Sequence, residues 1–503
     1  MKMQRRVRFL EPRSRRGRPF NAWVSCLPLL GPITLATLLK ERGYDAAVYN
    51  ENFSGPLEEN EHAYRDVCSA DVIGISIMTP TAVRGYALAD LIRPAALGKT
   101  IVFGGIHATF MSREALAHGD IVVRGEAEAV IEQVAGGAIR SGVIESPALE
   151  DLDALPAPDY GLMRDFDTVV SRFPSRGVYP LPIMASRGCP YGCSFCSVSR
   201  MFGRRVRHRS VEKVCQDLQT YKQQRFQEFF FYDDNFTSNR NWTTELMHRI
   251  RPLGVRFSAQ ARVDFPWVDR SQGILDRPLL DAMRDGGGSI LYVGYETIED
   301  STAEQWHKGY RGDGVLRERL VEDTRILHDN GFAVHGMFVV GPEHTGETVD
   351  RIVEFARQTR IESIHLSILT PLPGTPLFEE MRPNLIFTDF PRDWDYYDGT
   401  HCVYDHGRLD VEQLQRAVLG AHRRFYRRYG WRVGQVRELL RQRGSLTDRL
   451  RRFRSMAHVA RRTLKEWEVE TRTFLEVVRM RRAAPAHDPR IVTPDRRGRG
   501  GVS

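Results

Sequence analysis

Met184-Ala185-Ser186-Arg187-Gly188-Cys189-Pro190-Tyr191-Gly192-Cys193-Ser194-Phe195-Cys196 is the stretch that organises the chain. Three of the seven cysteines fall within eight residues here, spaced C-x3-C-x2-C. The apolar run at 181–185 predicts a buried strand just before them. Gly188, Pro190 and Gly192 break regular structure, so the thiols are expected on a loop at that strand's C-terminal end. Zinc sites want four ligands, and no second Cys or Cys/His pair lies near enough to complete one. Thiolates also hold iron–sulfur clusters, one per iron in a cubane, and three thiolates on four irons leave one iron open to a ligand.

Downstream, strand-like and helix-like segments alternate. Ser210 caps a helix carrying Val211, Val214 and Leu218, and a helix at 278–284 is stopped by Gly286-Gly287-Gly288. Strands are expected at 229–232, 255–261, 290–294, 332–340 and 364–369. With 181–185 these make six strand–helix repeats, a partial, parallel (β/α)6 barrel whose active site lies where the strands end. Those ends read Asp233-Asp234-Asn235, Arg262-Val263-Asp264, Tyr295-Glu296-Thr297, Gly341-Pro342 and Pro371-Leu372-Pro373-Gly374-Thr375-Pro376-Leu377, and they converge on the cysteine loop.

Upstream, strands at 7–10, 46–49, 72–78, 101–105 and 121–125 alternate with helices at 31–42 and 88–97, the first closed by Gly43. The continuous apolar run at 72–78 suits a parallel sheet covered on both faces. The alternation predicts an α/β, Rossmann-like, doubly wound domain with ligands at the strands' C-terminal ends. Those ends carry Ser76 to Thr79, Gly104-Gly105 and Gly125-Glu126, and glycine there lets a large ligand approach the backbone. Five prolines fall within 141–180, so this region reads as an extended interdomain linker. The expected division is 1–145, linker 146–180, barrel 181–400 and a helical extension over 401–503 with a disordered end.

The cysteine spacing, with aromatic Phe195 before the last Cys, resembles the defining motif of the radical SAM superfamily, and the likeness covers about 180–400. It implies a 4Fe–4S cluster on Cys189, Cys193 and Cys196, its open iron chelated by S-adenosylmethionine. It places Phe195 against the adenine, Glu296 at the ribose, and Asp233, Asp234 or Asn235 at the methionine amino group. Helix capping is the competing role for these carboxylates, Asp234 for a helix from Asn239 among them. The first domain resembles the cobalamin-binding domain that precedes many radical SAM domains, through 75–79, 104–109 and 123–126. Ser76, Thr79, Gly104 and Gly105 are the implied cobalamin contacts. Asp-x-His-x-x-Gly is absent, the corresponding loop being 27–33, so the cofactor is expected to lack a lower-axial protein histidine. His107 reads equally as a ligand or a polar loop residue.

The family resemblance implies an enzyme, first of all a cobalamin-dependent C-methyltransferase acting on an unactivated carbon. A 5′-deoxyadenosyl radical removes a substrate hydrogen, methylcobalamin supplies the methyl group, and a second S-adenosylmethionine restores it. A radical cyclase or rearrangement enzyme without methyl transfer, and a non-catalytic cobalamin sensor, are the alternatives. A methylthiotransferase needs three further cysteines in the first domain, where only Cys26 and Cys68 are available. A maturase with auxiliary clusters is disfavoured because Cys402 stands alone. An external electron donor such as flavodoxin or ferredoxin, and a small-molecule or lipid substrate, complete the expected partners.

Composition bounds the rest. The 503 residues are 42% hydrophobic with a mean hydropathy of −0.39, no apolar run of membrane-spanning length occurs, and 7–10 is too short for a signal-peptide core. The odd cysteine count suits a reducing cytoplasm. Residues 421–503 hold 23 Lys and Arg against 8 Asp and Glu, a net +15 out of +8 overall, leaving −7 for the first 420. Asp410 and Gln413 make a capping box for a helix with Leu414, Val418, His422 and Phe425 on one face. Ser445 opens an Arg-rich helical stretch to about 482 whose broken apolar stripe includes Trp467 and Phe474. Packing on the catalytic domain is its first expected role. The sharper expectation is peripheral contact with an anionic membrane, Trp467 and Phe474 supplying the apolar part. Nucleic acid is not expected, because no aromatic platform interleaves with the arginines.

Overall fold

The computed structural model describes residues 5–14, 27–310, 312, 314–405, 407–427 and 467–481. β1 (Arg6–Glu11), β2 (Asp45–Asn50), β3 (Val72–Ser76), β4 (Thr100–Gly104), β5 (Ile121–Gly125) and β6 (Gly142–Ser146) form one parallel sheet in the order β2-β1-β3-β4-β5-β6. Its central strands are apolar on both faces because helices such as Leu30–Glu41 and Ala82–Ile92 bury them. Arg8 and Glu11 are buried polar exceptions in β1, and Arg8 forks to Asp45 and Asp66 at 3.0 and 2.6 Å. The helix expected at 88–97 starts earlier, at Ala82, straight after a 3-10 turn over Thr79–Thr81. β6 was not expected: it is an edge strand of alternating exposure with no apolar run to betray it.

The segment expected to be an extended linker is folded against both sheets. Short turns at Leu152–Ala154 and Tyr160–Leu162 and a helix at Phe166–Val170 replace an extended chain. Asp159 pairs with Lys40 at 2.7 Å, the Arg164 N–H donates to the Val48 carbonyl at 2.9 Å, and the buried Tyr160 hydroxyl donates to the Pro182 carbonyl. These contacts fix the first sheet relative to the second.

The second sheet begins with β7 (Pro180–Ile183), an edge strand that tolerates its prolines. The hairpin strands β8 (Ser186–Arg187) and β9 (Arg207–His208) follow, then β10 (Glu228–Phe231) and β11 (Arg256–Arg262). A second small hairpin, β12 (Trp267–Asp269) and β13 (Ile274–Leu275), precedes β14 (Gly288–Glu296), β15 (Ala333–Val340) and β16 (Ser363–Ile368). The order β7-β10-β11-β14-β15-β16, parallel throughout, is the expected partial barrel. Ser210 accepts from the Lys213 N–H to start Val211–Gln223, as predicted. Asn239 itself caps Arg240–Ile250 by accepting from the Trp242 N–H at 3.2 Å, so Asp234 is not spent on that cap.

The Asp410–Gln413 capping box forms, and Leu414, Val418, His422 and Phe425 are buried on the helix Val411–Arg427. The helical segment 467–481 lies on the catalytic body. Trp467 packs edge-on against His422 at 4.4 Å and Phe474 stacks on Phe387 at 5.3 Å, leaving the two rings only 3% and 1% exposed. This corrects the membrane expectation for these two rings, whose apolar surface is consumed by the core. The rest of the Arg-rich stretch, 428–466, and the tail 482–503 with its expected disorder lie outside the described residues. Among the described residues no helix is long and apolar enough to cross a membrane.

Candidate active site

The cysteine loop, 188–206, is closed at its base by β8 and β9, with Arg187 directly opposite Arg207. Gly188 adopts φ +96°, and a Cβ there would sit 2.8 Å from the Arg205 carbonyl, so the base closes only around glycine. Inside the loop, the Ser194 N–H donates to the Trp306 carbonyl at 3.2 Å and the Ser194 carbonyl accepts from Leu377 N–H at 3.2 Å. Phe195 meets the Trp306 ring edge-to-face at 5.8 Å. Cys189, Cys193 and Cys196 are unpaired thiols, each partly exposed. Burial pushes all three thiols up, Cys196 to about 11, and the neighbouring thiols push Cys196 in the same direction. Three soft donors in one another's field, on one loop, suit a cluster that takes one thiolate per iron.

The strand-end acids separate into distinct roles. Asp233 is fully buried, and its carboxylate accepts from the Ala185 N–H at 3.1 Å and from the Ser186 hydroxyl, so it braces the loop from beneath. Burial pushes it up to about 7. Asp234 stays partly exposed beside the loop, accepting from the Gly188 N–H at 3.3 Å, and burial lifts it to about 6. Asn235 is buried and accepts from the Thr237 hydroxyl. Glu296 ends β14 at φ +51°, an uncommon state for a residue with a side chain, which turns its carboxylate back over Gly294. One oxygen pairs with Lys308 at 2.7 Å; the other, Oε2, is buried with no protein partner. A buried carboxylate oxygen left unpaired is costly, and a ligand hydroxyl would satisfy it. Arg262 closes the wall, chelated by Asp264 and stacked 3.9 Å from the Tyr191 ring of the cysteine loop.

The segments that follow the first sheet's strands touch the barrel domain through Glu114 and Glu126. Gly105, at φ +92°, packs so closely that a Cβ would lie 2.6 Å from the Ile77 carbonyl and 3.1 Å from Ser76 Oγ, whereas a Cβ on Gly104 would meet nothing within 4 Å. The backbone is thus open at Gly104 beside a tight turn that only glycine allows at Gly105. Thr79 is buried against His107, whose ring nitrogens lie 3.2 Å from Thr79 Oγ1 and 3.3 Å from Glu114 Oε1. Trp394, from the barrel's end, also donates to Glu114 at 3.0 Å and meets the His107 ring at 5.1 Å. His107, on the short helix Ile106–Phe110, is therefore a buried interdomain contact and not the polar loop residue of one of its two readings. Glu126, just past β5, is paired with both Arg187 and Arg207, and Glu128 with Arg187.

The residues sequence reasoning singled out thus lie at the strand ends of the two sheets, with Asp233 buried against Ala185 and Ser186 and His107 at a contact between the two domains. It missed Lys308, in a loop without any motif, and Trp306 below the cysteines. It also missed the Arg187–Arg207 pair, for which the only signal was two arginines flanking the Cys loop at its strand-like stems.

Two family models match successive parts of the chain. The family model "Radical SAM superfamily" matches residues 183–356, and "B12 binding domain" matches 24–135. Bacteriochlorophyllide d C-12(1)-methyltransferase of Chlorobaculum tepidum is 26% identical over 434 residues, covering 85% of this chain and 88% of that protein. Anaerobic magnesium-protoporphyrin IX monomethyl ester cyclase of Rubrivivax gelatinosus is 26% identical over 426 residues, 78% of this chain and 72% of that one. Among solved structures, the cobalamin-dependent S-adenosylmethionine radical enzyme OxsB superposes with a TM-score of 0.63 at 14% identity over 95% of this chain and 73% of its own. TsrM of Kitasatospora setae, a radical S-adenosylmethionine methyltransferase, gives 0.60 at 17% identity over 76% and 75%. At such identities these two likenesses are likenesses of fold. The chain belongs to the radical SAM superfamily, among the members that carry a B12-binding domain in front of the radical SAM domain.

Proposed function

We propose that this protein is a cobalamin-dependent radical SAM methyltransferase that places a methyl group on an unactivated carbon of a small-molecule substrate. The observation that carries the reading is that Glu126, directly after Gly125 at the end of a strand of the B12-binding domain, is buried in ion pairs with Arg187 and Arg207, the two stems of the barrel's cysteine loop. Bound on these residues, a 4Fe–4S cluster, S-adenosylmethionine and cobalamin supply the electron, the hydrogen-abstracting adenosyl group and the methyl donor.

Cys189, Cys193 and Cys196 would hold the cluster, and Asp233 and Trp306 keep their loop in place. Glu296 Oε2 would accept from the ribose hydroxyls, and Lys308 holds the other oxygen so that the carboxylate does not turn away. Asp234 is the acid of its trio best placed for the methionine amino group, since Asp233 is spent beneath the loop. Phe195, fixed on Trp306, offers a face for the adenine. Gly104, Gly105, Ser76 and Thr79 line the cobalamin side. An external low-potential donor would supply the electron.

The methyltransferases among the relatives support methyl transfer. The cyclase among them supports a second reading, radical ring closure without it. Anaerobic turnover of the reconstituted protein in an extract of its own cells, with S-adenosylmethionine deuterated at the methyl, separates the two. Methyl transfer yields S-adenosylhomocysteine and 5′-deoxyadenosine in equal amounts and a product deuterated on carbon. 5′-Deoxyadenosine without S-adenosylhomocysteine would establish the cyclase reading instead.

A further inference from the structure

The two arginines at the base of the cysteine loop face each other across β8 and β9, and both are buried. Like charges directly opposite in a strand pair repel, and in a buried setting water does not screen them. One carboxylate from the other domain holds them together. Glu126 Oε2 accepts from Arg187 Nη1 at 2.7 Å and Arg207 Nη1 at 3.1 Å, and Oε1 accepts from Arg207 Nη2. Arg187 Nη2 continues to Glu128 Oε1 at 2.6 Å. Glu126 is itself fastened: its Oε2 accepts from the Leu149 N–H at 3.3 Å and its carbonyl from the Ser146 hydroxyl at the end of β6. Two acids and two bases with side chains 7% exposed or less make a closed, neutral set. Such a buried set contributes little net stability compared with an apolar one, so its value lies in the geometry it enforces. That geometry ties the residue after Gly125, on the cobalamin side, to the residue two before Cys189.

We propose that Glu126 is a positioning residue: it neutralises the facing Arg187–Arg207 pair, holds the cysteine loop shut at its base, and thereby sets the separation between cobalamin and cluster. The proposal rests on the function put forward above, and Glu126 touches neither reacting group itself. Removing its charge as Glu126→Gln leaves two buried guanidiniums opposed with only Glu128 nearby. The stems then spread, and the loop loosens while the B12-binding sheet stays intact.

The test uses full-length, anaerobically reconstituted protein with cobalamin bound. Wild type is expected to hold cluster and cobalamin with a narrow distance distribution between cob(II)alamin and the reduced cluster in pulsed dipolar EPR. Wild type lacking either cofactor would refute the function itself and is thereby distinguishable. With both present, E126Q is expected to retain cobalamin like wild type, to lose iron to a chelator about tenfold faster, as removing the partner of a buried charge predicts, and to broaden the distance distribution. The double variant E126Q/R207Q removes the opposed charge and is expected to recover most of the iron retention, which a merely space-filling role for Glu126 does not predict. Identical iron loss and distances in E126Q and wild type would overturn the proposal, as would a double variant no better than the single. Should E126Q not fold, soluble cluster-loaded E126Q/R207Q supports the proposal, and failure of both counts against it.

Discussion

Glu296→Gln keeps the side chain's volume and removes the charge that the site holds ready for a ligand. Lys308 fixes Oε1 at 2.7 Å, while Oε2 is buried without a protein partner. A hydrogen bond to a charged group contributes ~1.5–3 kcal/mol and a neutral one ~0.5–1.5, so the substitution should cost about 1–1.5 kcal/mol of S-adenosylmethionine binding. At 1.4 kcal/mol per decade that is about a tenfold weaker complex. It also leaves the buried Lys308 unpaired, a separate effect that Glu296→Gln/Lys308→Met removes. The assay is a titration of cluster-loaded protein with S-adenosylmethionine, read from the change it makes in the reduced-cluster EPR signal. Both variants should bind about tenfold more weakly, within ~3-fold of each other, because the lost acceptor is common to both. Wild-type affinity in the single variant refutes the role of Glu296. Recovery in the double variant refutes the reasoning in another way, by assigning the loss to Lys308.

Three further outcomes follow from particular contacts. In cluster-free protein, Cys196 should be alkylated by iodoacetamide about 100-fold more slowly at pH 8 than an unperturbed thiol, because burial raises it from 9.0 to about 11 and only the thiolate reacts. The rate should climb until pH passes about 11, and a plateau near pH 9 would contradict the burial. Gly104→Ala, whose Cβ meets no protein atom within 4 Å, should weaken cobalamin retention with the apoprotein's melting unchanged, whereas Gly105→Ala should lower both; retention unaffected by Gly104→Ala would remove cobalamin from that position. Arg481→Ala unpairs the buried Asp393, which accepts from it at 2.7 Å, and should lower stability to denaturant by about 2 kcal/mol, less than a fully buried pair because Arg481 is partly exposed. An unchanged unfolding midpoint would show that the segment 467–481 does not hold to the catalytic body.

Much of this was legible because it is written in local signals. The cysteine spacing, the glycines at Gly104 and Gly105, and the apolar runs of the central strands depend only on neighbours in the chain. Gly188, Asp233 and Glu296 stood at strand ends, where a parallel sheet places its chemistry. What escaped depends on partners distant in sequence. Asp233 and Asp234 are adjacent and chemically alike, yet one is buried beneath the loop and the other faces the site, a difference set by strand pairing. Lys308 matters through Glu296, twelve residues away on another element. Glu126 was noticed as part of a cobalamin-domain motif, but its role is decided by Arg187 and Arg207, more than fifty residues on. Trp467 and Phe474 stayed open to packing on the catalytic domain or to a membrane contact, because nothing local reveals that His422 and Phe387 cover them.

The account stands most directly on S-adenosylmethionine cleavage at the cysteine loop. Anaerobic protein with its full iron complement, reduced in the presence of S-adenosylmethionine, should release 5′-deoxyadenosine, and Cys193→Ala, folded and holding cobalamin, should release none. Undiminished 5′-deoxyadenosine from Cys193→Ala, or none from the iron-replete wild type, would contradict it.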